Sequence, residues 1–389
     1  MNRWAAFGGL LALSLAAGVA NADDSAPPGA IIFARNGSLV RVDTRGKGET
    51  EIATFEPNQH VRSLRTDAAG KVLLADLDGL WAWMPLDGSA KSLSPLPCAD
   101  GPAQLADDGS AVVCRAKQGA LEINFQSGKQ WAIDVPVARI VGAGATRKLI
   151  WAASDGVWAA PPSTSPRAKA TKVAPEPPLR GFLPSPDGTR ALGVYASEIY
   201  TDAHRKQPAE VLMGFALDGI AARRKAIKTG VGLEWSHDGE WILVQDGASA
   251  CLMHATGGEY KCWRGFTGAS LSPDGKFALV LGNRDAKVLP QTTKKPSEKE
   301  MATLRAKSKA MPAPAPQAAP PTPSDSADES DDAEGGDVPD VAVPPPTGPL
   351  SLYRARLEGS AFTEPPTLIA RIVDGAAVWV PDAPAPVAP

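Results

Sequence analysis

Three stretches of the chain repeat one arrangement of apolar and polar positions: Gly181–Tyr195, Gly232–Gln245 and Gly268–Leu281. Each reads as a short strand, an Asp-Gly turn and a second, more apolar strand. The turns are Asp187-Gly188, Asp238-Gly239 and Asp274-Gly275. Glycine supplies the positive φ that a tight connection needs, and aspartate bonds its own backbone. Weaker copies lie upstream around Ala69-Gly70, Asp108-Gly109 and Ala145-Thr146. The turns recur at roughly 36 to 50 residues, the spacing of propeller blades and not of helical repeats.

A second unit follows each hairpin, a strand closed by another turn, as in Gly37–Gly46, Asp78–Gly88, Gly119–Gly128 and Leu350–Gly359. A further strand comes after it, so the repeating unit is four antiparallel strands, which is one blade. The first copy opens at Ile31 on a pattern matching the second strand of the other units. The last, Gly375–Asp382, matches an innermost strand and then stops. The pattern therefore predicts an all-β fold, a seven-bladed β-propeller over 31–382, with six or eight blades as alternatives. The C-terminal strand is expected to pair with the N-terminal blade, since closure removes free sheet edges.

Two stretches interrupt the period. Ala196–Pro208 lengthens one blade and reads as an insertion. Residues 285–349 are rich in Pro, Ala and Lys, then in Asp and Glu, with almost no large apolar residues. Such a segment cannot bury enough surface to offset its ordering entropy. It is expected to be a disordered loop inside the last blade, and 383–389 a disordered tail.

The N-terminus carries Arg3, an apolar stretch from Trp4 to Val19, and Ala20-Asn21-Ala22 before Asp23. This is the pattern of a secretory signal cleaved after Ala22, which leaves 23–30 as a short lead. The stretch falls short of the roughly 20 apolar residues of a spanning helix, and no later segment is longer. A periplasmic or secreted protein without a transmembrane segment is expected.

Export changes the reading of the four cysteines, because an even count there implies disulfides. A turn over 255–258 sets Cys251 directly opposite Cys262, where Cβ atoms stand about 4.5 to 5.5 Å apart. Cys98 and Cys114 pair by elimination. Neither interval has the spacing of a zinc site, so no metal or other cofactor is expected. A net charge of −3 spread over both signs offers no basic face for nucleic acid, and the protein is expected to be a monomer.

Candidate chemistry is sparse. The four histidines are His60, His204, His237 and His254, and His237 stands where two sister repeats carry proline. No Gly-x-Ser-x-Gly elbow occurs. Asp187, Asp238 and Asp274 read as turn residues, with a ring of carboxylates around a pore as the functional alternative. Trp81, Trp83, Trp158, Trp235, Trp263 and Trp379 recur at strand positions that suit packing between blades, with a sugar-stacking surface as their alternative. No catalytic residue is assigned.

The Ser-Pro-Asp-Gly turns at Ser185 and Ser272, the variant at Ser236, and the opening Ile31–Asp43 resemble the WD-like repeats of TolB-type periplasmic propellers. That family places a separate N-terminal domain before six blades, whereas here the repeat starts at Ile31. The resemblance implies the propeller and leaves function open, since such scaffolds host unrelated activities. The expected function is an exported, non-catalytic module that binds or scaffolds a protein partner through loops on one face. The alternative is a secreted carbohydrate-active or hydrolytic enzyme with a site in the propeller channel.

Overall fold

A computed structural model describes residues 27–56, 59–135, 138–142, 144–163, 165–200, 206–218, 225–228, 230–255, 260–283, 350–356 and 366–382. The expected signal 1–22, the first half of the lead 23–30, the insertion 285–349 and the tail 383–389 lie outside the described residues, as does His204.

The strands form seven four-stranded antiparallel sheets, arranged as the blades of a propeller. Blade 1 takes its innermost strand, Ala377–Val380, from the C-terminal end and its other three, Ala30–Arg35, Ser38–Asp43 and Thr50–Thr54, from the N-terminal end. Ile31 pairs with Trp379 and Phe33 with Ala377. The innermost strands of the following blades are Val61–Thr66, Ala103–Leu105, Arg139–Val141, Arg180–Pro184, Val231–Trp235 and Phe266–Leu271. Blade 7 continues through Phe277–Asn283 to Leu350–Arg356, paired from Phe277↔Arg356 to Asn283↔Leu350. The 285–349 segment thus connects neighbouring strands of one sheet.

The second strands are runs of apolar residues because both faces of every blade are covered. In Ala30–Arg35, Ile31 and Phe33 pack against Leu279 and Leu281 of blade 7. Ile32 and Ala34 point the other way, to Leu73 and Ala75 of blade 2. Alternate residues therefore feed two different cores. Seven apolar clusters result, one at each junction between neighbouring blades.

Four innermost strands, in blades 2, 5, 6 and 7, carry a register shift against their second strand. Bulges of this kind bend a strand and re-aim its side chains. The glycine leading the repeat has a packing reason of its own. A Cβ at Gly268 would stand 2.9 Å from Leu243 and Leu233 of blade 6, so the neighbouring blade occupies the space a side chain would need.

Blade 5 departs from the others. Its second strand, Arg190–Tyr200, and third, Lys206–Ala216, pair continuously from Arg190↔Ala216 to Tyr200↔Lys206. The innermost strand reaches only to Val194 and the outermost, Lys225–Lys228, only to Leu212. The Ala196–Pro208 stretch is therefore mostly an extension of one hairpin. Beyond Tyr195↔Val211, five residue pairs run on as a two-stranded ribbon, about 17 Å long at the rise of antiparallel strands. It leaves the blade at the end opposite the Asp-Gly turn.

Trp379 is 2% exposed and lies in the junction between blades 7 and 1. Its indole N–H donates to Pro28 O at 3.1 Å. Trp379→Ala should lower stability by about 3 to 5 kcal/mol, the usual cost of emptying a buried aromatic site, read as a shift in the urea unfolding midpoint. A variant within about 0.5 kcal/mol of the parent would mean that this strand does not close the ring.

Candidate functional site

The three Ser-x-Asp-Gly turns share one hydrogen-bond circuit. Ser272 Oγ accepts the Phe277 N–H at 2.9 Å and donates to Asp274 Oδ1 at 2.6 Å. Asp274 in turn accepts the Lys276 N–H at 3.1 Å. Ser185 with Asp187 and Ser236 with Asp238 repeat the arrangement. Burial works against the ionised form of Asp187, but bonds from Ser185 and Thr189 outweigh it and hold the carboxyl below its ordinary range. Each of these carboxylates is engaged by its own turn. Among the described residues no group of three His, Cys, Asp or Glu side chains is placed to hold a metal ion.

Gly275 shows why the next position is glycine. Its φ is +66°, and a Cβ would lie 2.8 Å from Trp241 of blade 6. Backbone conformation and contact between blades impose the same residue.

Asp67 occupies the serine position of the blade 2 turn. Its carboxylate accepts the N–H groups of Lys71 at 2.6 Å and Val72 at 2.7 Å, so one side chain does the work of the Ser and Asp of the sister turns. His237, at the proline position of blade 6, is exposed. Although its side chain reaches solvent, the protein crowded around the ring disfavours its charged form and lowers its pKa, opposed by Asp67 and Asp238. Asp67 belongs to blade 2, so this interaction crosses the channel.

Polar groups of the innermost strands and their turns close a circuit around the channel. Between blades 1 and 2, Thr66 Oγ1 donates to Trp379 O at 3.2 Å. Between blades 2 and 3, Ala68 N–H donates to Asp107 O at 3.0 Å. The Gly142 N–H serves two junctions, reaching Asp107 Oδ2 of blade 3 and Pro186 O of blade 5, each at 3.1 Å. Between blades 5 and 6, Trp235 Nε1 donates to Leu183 O at 3.1 Å. Glu234 Oε2 accepts the Leu271 N–H of blade 7 at 2.7 Å, and Ser270 Oγ accepts the Trp379 N–H of blade 1 at 3.3 Å. Every junction is bridged.

Two carboxylates in this circuit are unusual acids. Glu234 keeps a partial opening to solvent although protein surrounds it. Burial raises its pKa to about 7, against the pull of the Leu271 N–H, Ser270 and Arg65 of blade 2. Asp107 is raised to about 6 by burial, with Gly142 and Arg147 opposing and Asp108 assisting. Beside it, Arg147 of blade 4 pairs with Asp108 at 2.8 Å and approaches buried Glu122 at 3.9 Å. For Asp108, burial is outweighed by bonds from Ser110, Arg147 and Gly144, which bring its pKa down to about 2. These groups clamp blades 3 and 4 together.

The disulfides and tryptophans are structural in placement. Cys251 and Cys262 stand opposite each other on the third and outermost strands of blade 6, with Cα atoms 4.0 Å apart and sulfurs bonded. Cys98–Cys114 ties the segment after blade 2 to the second strand of blade 3. Trp81, Trp235, Trp263 and Trp379 are buried. Trp83 stacks on Phe125 of the next blade at 4.2 Å, while Trp158 carries Lys172 over its ring. His254 meets Glu240 at 3.2 Å, at the end of the blade 6 turn that also holds His237.

The ribbon of blade 5 has two unlike edges. Just below it, Leu217 N–H donates to Thr189 O. In this register, odd-numbered residues of the second strand turn their backbone groups toward the third. Even-numbered residues turn theirs outward, as Val194 does in accepting the Leu179 N–H at 2.8 Å. Ala196, Glu198 and Tyr200 therefore face outward on one edge and Lys206, Pro208 and Glu210 on the other. Pro208 has no N–H, which blunts the second edge.

No family model matches the chain, and no curated protein does. Among solved structures it is similar to an oligogalacturonate lyase in complex with manganese, at 11% identity and a TM-score of 0.44, over 66% of this chain and 83% of that one. It is also similar to the dihydro-heme d1 dehydrogenase NirN, at 14% and 0.40, over 68% and 71%. A candidate TolB from Agrobacterium tumefaciens gives 16% and 0.34, over 67% and 80%. Similarity at this level assigns no function, and the propeller is read from the strand pairing itself.

Two outcomes test this geometry. Gly275→Ala should cost about 1 to 3 kcal/mol, from strained backbone and the contact with Trp241, again read from urea unfolding. An unchanged midpoint would show that the turn can relax away from blade 6. The second concerns pH. Glu234 and Asp107 are weaker acids folded than unfolded, so the folded chain holds more protons between their unfolded and folded pKa values. Their contribution is largest on the acid side and is lost as pH rises through about 6 for Asp107 and about 7 for Glu234. His237, with its lowered pKa, has the opposite sign. The melting temperature should be higher near about pH 5.5 than near about pH 8, and Glu234→Gln should flatten that slope. A profile that Glu234→Gln leaves unaltered would show that Glu234 titrates as an ordinary surface acid.

Proposed function

We propose that this protein is a non-catalytic binding or scaffolding module of the periplasm or cell exterior, acting as a monomer that holds a protein partner. The blade 5 ribbon carries this reading. A two-stranded ribbon with no third strand is marginal in water, yet five residue pairs of one continue beyond the sheet. The hydrogen bonds that bridge the blade junctions come from residues outside it. A projecting hairpin on a closed scaffold suits the presentation of a contact surface.

Two disulfides and the absence of a free cysteine accord with an oxidising compartment outside the cytoplasm. Among the described residues no helix is long and apolar enough to cross a membrane. A slightly negative chain gives nucleic acid no electrostatic foothold.

The test replaces 196–210 with an Asn-Gly turn joining Tyr195 to Val211. The propeller should melt within a few degrees of the parent, while the partner captured from envelope extract by the full chain should be lost. Capture of the same partner by the shortened chain would overturn the reading.

A further inference from the structure

The outward backbone groups of Ala196–Tyr200 are directed along the same edge that the innermost strand of blade 5 occupies up to Val194. Leu179 N–H and the Arg180↔Val194 pair are the last contacts of that strand. Upstream, Pro177-Pro178 cannot continue a ladder, because proline has no N–H. The approaching chain instead lies across the sheet. Pro178 stands where a Cβ on Gly193 would be, and Tyr195 Oη donates to Glu176 O at 3.3 Å. Among the described residues no strand pairs with the edge beyond Val194.

We propose that the edge of Ala196–Tyr200 is a strand-addition site, which takes an extended segment of a partner protein in line with Arg180–Pro184 and antiparallel to Arg190–Tyr200. This deepens the binding function proposed above and rests on it. The edge offers N–H and C=O groups at 196, 198 and 200, a full set for a short ladder. The opposite edge, interrupted by Pro208, does not. Leu179, 49% exposed where the chain's own strand ends, supplies an apolar contact for the end of the incoming segment. The partner's chemistry follows: an extended stretch free of proline, with an apolar residue at the end nearer the propeller. The chain's own 285–349 segment, with its many prolines, is a poor occupant.

The probe is a synthetic peptide of alternating Val and Thr with Lys at each end, added to the full chain while amide exchange is followed by NMR. The amides of 196, 198 and 200 should gain protection at least tenfold, and those of 197 and 199, already turned inward, should change little. Glu198→Pro removes one outward N–H and should abolish the gain at 196 and 200 without lowering the melting temperature. If that variant fails to fold, the parent with a peptide N-methylated at alternate residues serves instead and should show no protection.

Unchanged exchange at 196 to 200, or protection that survives Glu198→Pro or N-methylation, would overturn strand addition. So would protection without peptide that grows with protein concentration, because a second copy would then fill the edge. Loss of the natural partner on ribbon replacement but not with Glu198→Pro would defeat the strand mode alone and leave the binding function standing.

Discussion

A ring of sheets has no centre to collapse onto, and this constraint organises the whole molecule. Each blade buries its two faces against different neighbours, so the apolar surface is divided among seven junctions. Each cluster is completed only by side chains of two neighbouring blades. The free backbone edges of the innermost strands face the channel, where unpaired groups are costly. Thr66, Gly142, Glu234 and Ser270 answer that cost from different blades. Closure by Ala377–Val380 then joins the chain's two ends in one sheet, so the last junction resembles the others.

The turns are part of the same solution. The Ser-x-Asp circuit stiffens each hairpin from within, and the glycine beside it lets the neighbouring blade approach. Asp67 shows that the circuit constrains hydrogen-bonding geometry more than residue identity, since a carboxylate one bond longer than a serine fills both acceptor roles. The cost appears at Glu234 and Asp107, carboxylates drawn into a protein-lined circuit where ionisation is resisted. Their altered acidity follows from ring closure and does not by itself indicate catalysis.

Against this regular frame, the blade 5 ribbon stands out because its two strands pair on past the innermost and outermost strands of their own sheet. Its two edges differ in one atom pattern, the missing N–H of Pro208. That difference gives the ribbon a direction, with one edge guarded and one able to pair. The innermost strand's last bond to its neighbour is from Leu179, just after Pro177-Pro178, and Ala196–Tyr200 run on beyond it.

Local chemistry made much of this legible in advance. The blade period, the Asp-Gly turns and the facing of Cys251 and Cys262 all depend on contacts within a hairpin, where spacing alone sets the partners. The closing strand was legible too, because Gly375–Asp382 carries the pattern that the first blade lacks. Residues whose roles depend on another blade left no such signal. Glu234, Gln245 and Asp107 read as ordinary polar positions until their acceptors meet the backbone of a neighbour, while the Cys98–Cys114 link was reached only by elimination. Ala196–Pro208 read as an insertion because its sequence does not say where the flanking strands stop. Sequence determined the elements and their order through local turn chemistry and alternation. Only the assembled ring decided which polar groups would be shut away together and which strand edge would remain open, because both depend on what each blade meets next.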